Sequence, residues 1–321
     1  MRSRELSVAV FLAFLALLLA LFAPGFYNTS NALNLLVNMS YLMIAAVGMT
    51  AVILTGQIDI SVGAILAACA TVAGYSAKAG VPIPAVFLLA VATGAALGAV
   101  NGALVAYVRV HSIVVTLATL AVVRGAIILI TGGSWIYDLP ANFRALGTGT
   151  LLGVPIPVWL MAGVTLLGWY LLSHTRWGRS VYALGSSPEA ARLAGIPVRW
   201  TQLSVFVFQG ALVGVATMAF ATRFTTIQSN TGSGFEFLVI TAVVVGGTNI
   251  FGGSGTLLGT FLGALLVSAT GTTLTFLRIS AFWEGALQGL FILVSVTLDA
   301  IRSRRTPLSR THVEEPLDVP T

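Results

Sequence analysis

The chain has 321 residues, of which 57% are hydrophobic and 8% charged, with a formal net charge of +6. A water-facing domain carries about a quarter charged residues, so this composition excludes an ordinary soluble domain. The positive charge does not point to nucleic acid, because the basic residues follow membrane topology, as set out below.

The fold class is all-α: a polytopic membrane protein with about ten transmembrane helices, some discontinuous, and a short cytoplasmic helix. A crossing needs about 20 apolar residues. Residues 6–58 carry no charge, which is enough for two crossings, and 237–277 form an uncharged run of 41, enough for two more. A barrel alternates apolar and polar residues in segments of about ten, and these runs are apolar throughout. The single Cys69 gives no disulfide framework or metal spacing.

The N-terminus opens with Arg2 and Arg4 ahead of an 18-residue apolar run over 6–23. That run is long for a signal peptide, and Leu21-Phe22-Ala23 is a poor cleavage site, so it reads as an uncleaved first span. Gly, Pro, Asn and charge then punctuate nine further spans, at roughly 33–55, 60–77, 84–108, 111–131, 156–173, 200–221, 233–248, 255–276 and 282–301. Residues 1–301 are expected to form one transmembrane domain, and 302–321 a polar, disordered cytoplasmic tail.

With Arg2 and Arg4 in the cytoplasm, strict alternation puts eleven basic residues inside, including Arg109, Arg176, Arg179, Arg192 and Arg199. Lys78, Arg144, Arg223 and Arg278 fall outside, and Arg124 lies within a span. A bias of that sign is what the positive-inside rule requires. Both termini are then cytoplasmic.

Two spans are interrupted. ILTGQIDISVGAIL (53–66) contains Gln57, Asp59 and Ser61 between glycines, and 246–255 contains five glycines and Asn249. The two resemble a faint internal repeat. Non-helical backbone at membrane depth is tolerated where protein or a water-filled cavity covers it, and paired broken segments suggest a transport pathway. A tight turn between hairpin helices accounts for glycine and asparagine equally well. Asp59 needs a partner or water. Asn101, Thr116 and Thr119 suit bonds between helices, and Gly94, Gly98 and Gly102 suit close helix contact within the bundle or between subunits. Arg124, some fourteen residues into its span, costs about 2.5–3.5 kcal/mol to insert at the bilayer centre. It is expected to find a partner, with Glu236 one candidate, or to snorkel to the interface.

Residues 174–200 gather four arginines and Glu189 in an otherwise apolar chain. Ser187-Pro188-Glu189 is a helix start: Ser as N-cap, Pro in the first turn, Glu near the positive end of the dipole. Ala190, Ala191, Arg192 and Leu193 continue the helix, Gly195 ends it and Pro197 forbids its return. A two-turn helix is marginal alone in water, so something should pack on it; a loop resting on its own protein or on lipid headgroups accounts for it as well.

No P-loop is possible, since the single lysine, Lys78, follows Ala77. No compact catalytic cluster is visible, and His111, His174 and His312 are scattered. The chain is therefore read as a non-enzyme.

Four stretches in order, ILTGQIDISVGAI, NGALVAYVRVHSIVVTLATLAVVRGAIILITGG, GRSVYALGSSPEAARLAGIPV and ITAVVVGGTNIFGGSGTLLGTFLGALL, resemble the permease subunits of bacterial ATP-binding-cassette importers for monosaccharides: the ribose, xylose, rhamnose and autoinducer-2 group. The resemblance covers about residues 50–270. It implies an inner-membrane subunit paired with a second permease chain, identical or related. It also implies a cytoplasmic ATPase that holds ATP and Mg, a periplasmic sugar-binding protein, and no cofactor on this chain beyond surrounding lipid. The family's coupling segment matches Gly185–Ile196. Gly185, Ser187, Pro188, Glu189, Ala190, Arg192, Leu193 and Gly195 then face the ATPase. Asp59, Ser61, Asn101, Arg124, Glu236 and Asn249 are candidates for the translocation path or membrane core. One departure is Val110-His111-Ser112, to which no function is attached. An ion-coupled secondary transporter, a membrane-embedded enzyme and an amino-acid permease of the same ATP-driven class are the rival readings.

Overall fold

A computed structural model describes residues 10, 12–13, 27–280 and 282–304. The expected first span over 6–23 and the end of the tail, 305–321, lie essentially outside the described residues. The described chain is helical: α1 (Thr29–Leu54), α2 (Val62–Lys78), α3 (Ile83–Ala103), α4 (Ser112–Thr131), α5 (Ala141–Thr148), α6 (Ile156–His174), α7 (Arg176–Ser186), α8 (Pro188–Leu193), α9 (Val198–Ala221), α10 (Phe235–Val245), α11 (Leu257–Phe276) and α12 (Phe282–Arg304). Among the described residues six helices (α1, α3 with its extension, α4, α6, α9 and α11) are long and apolar enough to cross a membrane. α2 and α10 are shorter apolar helices.

Helix ends fall where local chemistry puts them. Asn28 caps α1 by accepting from Asn31 N (2.8 Å), and Thr256 caps α11 by accepting from Gly259 N (3.0 Å). Pro84 and Pro157 occupy the first turns of α3 and α6, where a missing N–H costs nothing. Two elements went unanticipated between the predicted fifth and sixth spans: α5, and a minimal hairpin pairing Thr150 with Pro155 and Leu151 with Val154.

α1 is the central post. From Leu42 through Leu54 every residue is buried, because α6, α9, α10 and α11 all pack around it. Of its most apolar window 78% is buried, against 22% for α3, α4 and α6. Those three turn large apolar side chains such as Val122, Leu129 and Leu166 outward. In a bilayer an outward apolar face meets lipid tails, so it carries none of the cost it would have in water.

The glycine stripe on α3 is an intrachain seam. A side chain at Gly94 would strike the Gly210 carbonyl, and one at Gly98 the Phe206 carbonyl. At Gly102 a Cβ would come within 2.9 Å of the Leu203 carbonyl oxygen. α3 and α9 therefore meet backbone to backbone. Beyond Ala103 the helix widens into a π-turn over Leu104–Val108 and stops at Arg109, whose φ of 64° is left-handed.

Candidate functional site

The first interruption is real. α1 closes at Leu54, Gly56 turns the chain with φ 74°, and residues 57–60 run without helix to α2. Asp59 is fully buried there. Its Oδ1 accepts from Ser61 N (2.9 Å) and Ser61 Oγ (2.5 Å), so the carboxylate sits at the N-terminus of α2, where the dipole favours negative charge. Asn101 Nδ2 donates to Ser61 Oγ (2.9 Å), and Thr119 Oγ1 donates to Asn101 Oδ1 (2.6 Å). One unbroken hydrogen-bonded chain thus joins the 55–61 segment to α3 and α4. Asp59 Oδ2 has no hydrogen-bond partner among the described residues. Thr116, by contrast, bonds back within its own helix to the Ser112 carbonyl (2.9 Å).

Arg124 finds backbone. Its Nη1 donates to the Thr231 carbonyl (2.6 Å) and its Nη2 to the Gly63 carbonyl (3.4 Å). Carbonyls replace the ion-pair partner expected of Glu236, which lies alongside and interacts with Arg124 through its charge. Glu236, buried in the first turn of α10, reaches the space where Gly63 lacks a side chain; a Cβ there would collide with Glu236 Oε2 and the Gly232 carbonyl. Among the described residues Glu236 Oε2 accepts no hydrogen bond. The starts of α2 and α10, both short helices, thus meet at Gly63.

The second interruption is a tight turn. Asn249 Oδ1 accepts from Phe251 N (3.1 Å), Asn249 N donates to the Ser254 carbonyl (2.8 Å), and Gly252 N donates to the Asn249 carbonyl (2.9 Å). The Asn249 side chain is committed to shaping this loop. The two interruptions also touch: Gly253 N donates to the Leu54 carbonyl (2.9 Å), and a side chain at Gly56 would meet the Phe251 carbonyl.

Both rest on the charged loop. Residues 174–200 contain not one helix but two. α7 was missed, although Trp177, Val181 and Leu184 recur at its spacing and Thr175 caps it, accepting from Gly178 N (3.1 Å). α7 binds α9 through Trp177 Nε1, which donates to Ser204 Oγ (2.8 Å). It binds the second interruption through Tyr182 OH, which donates to the Gly255 carbonyl (3.0 Å). Gly185 lies against both interruptions, where a Cβ would overlap the Leu54 carbonyl and approach Gly253 N. Gly185 is therefore a packing position rather than an outward one.

α8 follows as the sequence dictates. Ser187 Oγ accepts from Ala190 N (3.2 Å), Pro188 opens the helix, and Gly195 has φ 77° beyond its end. Ala191 is buried, Leu193 is 79% exposed, and Glu189 pairs with Arg192 across one turn (2.7 Å) on the open face. A cleft of about 520 Å³ runs beside it, lined among others by Gln57, Arg109, His111, Glu189, Arg192 and Arg199.

At the other end of α1, a cavity of about 440 Å³ with both polar and apolar lining opens among α1, α10, α11 and α12. Asn31, Asn34, Asn38, Tyr41, Arg223 and Glu284 line it. The sequence reading passed over these asparagines because it weighed charges, and the run that holds them has none. Among the described residues no group of three or more His, Cys, Asp or Glu side chains could hold a metal.

Comparison with known proteins places these features. The family described as "Branched-chain amino acid transport system / permease component" matches residues 31–296. The autoinducer 2 import system permease protein LsrC of Enterobacter sp. (strain 638) is 38% identical over 93% of this chain and 87% of its own. The ribose import permease protein RbsC of Escherichia coli (strain K12) is 39% identical over 86% of this chain and 88% of its own. RbsC of Haemophilus influenzae is 36% identical over 90% of both. No solved structure gives a significant match.

Proposed function

The chain belongs to the family of transport-system permease components, within which its relatives are sugar-import permeases rather than enzymes, and from that premise we propose that it forms the translocation path of an ATP-driven monosaccharide importer. It is a multi-pass inner-membrane protein. In this reading residues 1–301 make ten spans with both termini in the cytoplasm, and 302–321 form a polar tail. The excess of basic residues on the side of α7 and α8 supports that orientation.

A partner ATPase binds ATP and Mg and receives α8 in a groove. Leu193 and the alanines form the packing surface, Glu189 and Arg192 the polar contacts, and the neighbouring cleft an adjoining surface. A second permease chain completes the path, and a periplasmic binding protein delivers sugar. No bond in the sugar changes; the cavity alternates between the two sides of the membrane. Polar groups along the path hold sugar weakly, leaving selection to the binding protein.

One observation carries this reading: α7, continuous with α8, meets both interruptions at once, by close packing at Gly185 and a hydrogen bond from Tyr182. A push on α8 reaches the ends of α1 and α10 and the starts of α2 and α11 without passing through lipid.

Asp59 is the observation that favours a second reading. A buried carboxylate with one oxygen unpartnered among the described residues is what an ion-coupled secondary transporter requires. Affinity purification from native membranes separates the two. An ATPase that accompanies the chain and is lost on Glu189→Ala with Arg192→Ala supports the importer. A chain that purifies alone and transports on a proton gradient without ATP overturns it.

A further inference from the structure

The cavity at the end of the bundle away from α8 has the chemistry of a ligand site. Its position follows from α1, which begins beside it and ends at Gly185; Asn31 and Leu54 are 23 residues apart, about 35 Å along the helix. In the proposed topology that end faces outward.

Asn31, Asn34 and Asn38 recur every three to four residues, on one face of α1. Each carboxamide offers both donors and acceptors. Tyr41 follows one turn on, and α11 adds three hydroxyl side chains from the facing wall. Arg223 Nη2 donates to Asn38 Oδ1 (2.9 Å) while its guanidinium lies over the Phe224 ring (5.8 Å to the centroid), so its head is held in one place. Glu284 fits opposite because Gly271 has no side chain; a Cβ there would lie 3.0 Å from Glu284 Oε1. Among the described residues that line the cavity, one cation is balanced by one anion.

We infer that this cavity is the receiving site where a neutral polyol, a monosaccharide ring, first enters the permease. A ring hydroxyl donates and accepts at once; the carboxamides answer both, the Thr272 and Thr275 hydroxyls, which donate to carbonyls of α11, remain acceptors, and Leu42, Leu238, Val267 and Phe276 give the ring's C–H faces apolar contact. A volume of about 440 Å³ falls in the ordinary range for small-molecule sites, roughly 300–1,000 Å³. The Glu284 carboxylate in the same lining offsets the Arg223 cation, so the cavity has no net charge to favour an anion. The inference rests on the importer reading and adds to it the place and the residues.

The test uses the complete importer, with its ATPase and binding protein, in vesicles. Asn34 is exposed in the cavity, and the native Cys69 is buried, so Asn34→Cys gives this chain a single reactive thiol, and labelling is read on this chain. A membrane-impermeant thiol reagent is added from outside, with aldopentoses and aldohexoses offered as cargo. The expected result is that modification stops sugar uptake, and that the transported sugar slows modification several-fold while leucine does not. Modification that leaves uptake intact, or protection by leucine and not by sugar, overturns the site. An unmodified importer that carries leucine and none of these sugars overturns the importer reading itself, and the site with it.

Discussion

Gly185 on α7 and Leu54 at the end of α1 touch backbone to backbone, so closely that even a methyl group at 185 would overlap the Leu54 carbonyl. Because Gly185 also abuts Gly253, any side chain there must part α7 from both interruptions. Forcing extra carbon into such a contact costs about 1–3 kcal/mol. Gly185→Ala is expected to lower thermal stability by that amount. It should also leave the ATPase bound while reducing sugar carried per ATP. Unchanged coupling in Gly185→Ala would show that α7 transmits nothing through this contact.

The Asp59–Ser61–Asn101–Thr119 chain predicts unequal effects along its length. Asn101→Leu removes the donor to Ser61 and the acceptor for Thr119 together; Ser61 Oγ keeps its bond to Asp59 but loses its donor, and the half-buried Thr119 hydroxyl loses its partner, at about 1–3 kcal/mol in all. Thr119→Val removes one terminal link, and hydrogen bonds between membrane helices average about 0.6 kcal/mol. Thermal unfolding in lipid nanodiscs should rank Asn101→Leu well below Thr119→Val; equal melting would mean the chain carries little.

Arg124 and Glu236 should be coupled although no direct bond joins them. Arg124→Leu strips a donor from the Thr231 and Gly63 carbonyls and takes away the cation beside the buried Glu236 carboxylate. The expected loss is about 1–3 kcal/mol. Glu236→Gln added to Arg124→Leu is expected to recover part of it, since the stranded charge is gone. Additive losses in a double-mutant cycle would exclude coupling.

For α8 the structure separates folding from contact. Ser187→Ala removes the cap bond to Ala190 N and should cost about 1 kcal/mol of local helix stability, seen as faster amide exchange over 189–194. Leu193→Asp changes an outward side chain and should leave melting unchanged. It should weaken ATPase binding tenfold or more, about 1.4 kcal/mol. Full affinity in Leu193→Asp would move the docking face elsewhere.

How much of this was legible in the chain depends on the range of the interaction. α8 could be read residue by residue because its signals are local: Ser187 as cap, Pro188 at the start, Gly195 past the end. The breaks at 55–61 and 246–255 were equally visible, since glycine beside a polar residue interrupts a long apolar run. α7 was hidden because its arginines made 174–186 read as a solvated loop, although the half-buried Trp177 and the buried Val181 and Leu184 mark its inward face. The partners of Arg124 are backbone carbonyls, which have no letter in a sequence. Asp59, Ser61, Asn101 and Thr119 were each noticed, but only tertiary packing strings them into one chain. Asn31, Asn34 and Asn38 lay in view at helical spacing, and counting charges alone overlooked them.

The glycine seam between α3 and α9 bears on how such a bundle can move. Two helices in contact along Gly94, Gly98 and Gly102 meet mainly through backbone, with the Leu203 side chain reaching the seam only at Gly102, so little can slide or re-pack between them. The close seam ends where the regular helix does, at the π-turn over Leu104–Val108 and the left-handed Arg109 that follows it. A wide helical turn is a weak point in an otherwise regular rod, and here it borders the cleft beside α8. The irregular end of α3 and the short helix α8 thus share one cleft, with Val105, Ala106 and Arg109 on one wall and Glu189 and Arg192 on the other.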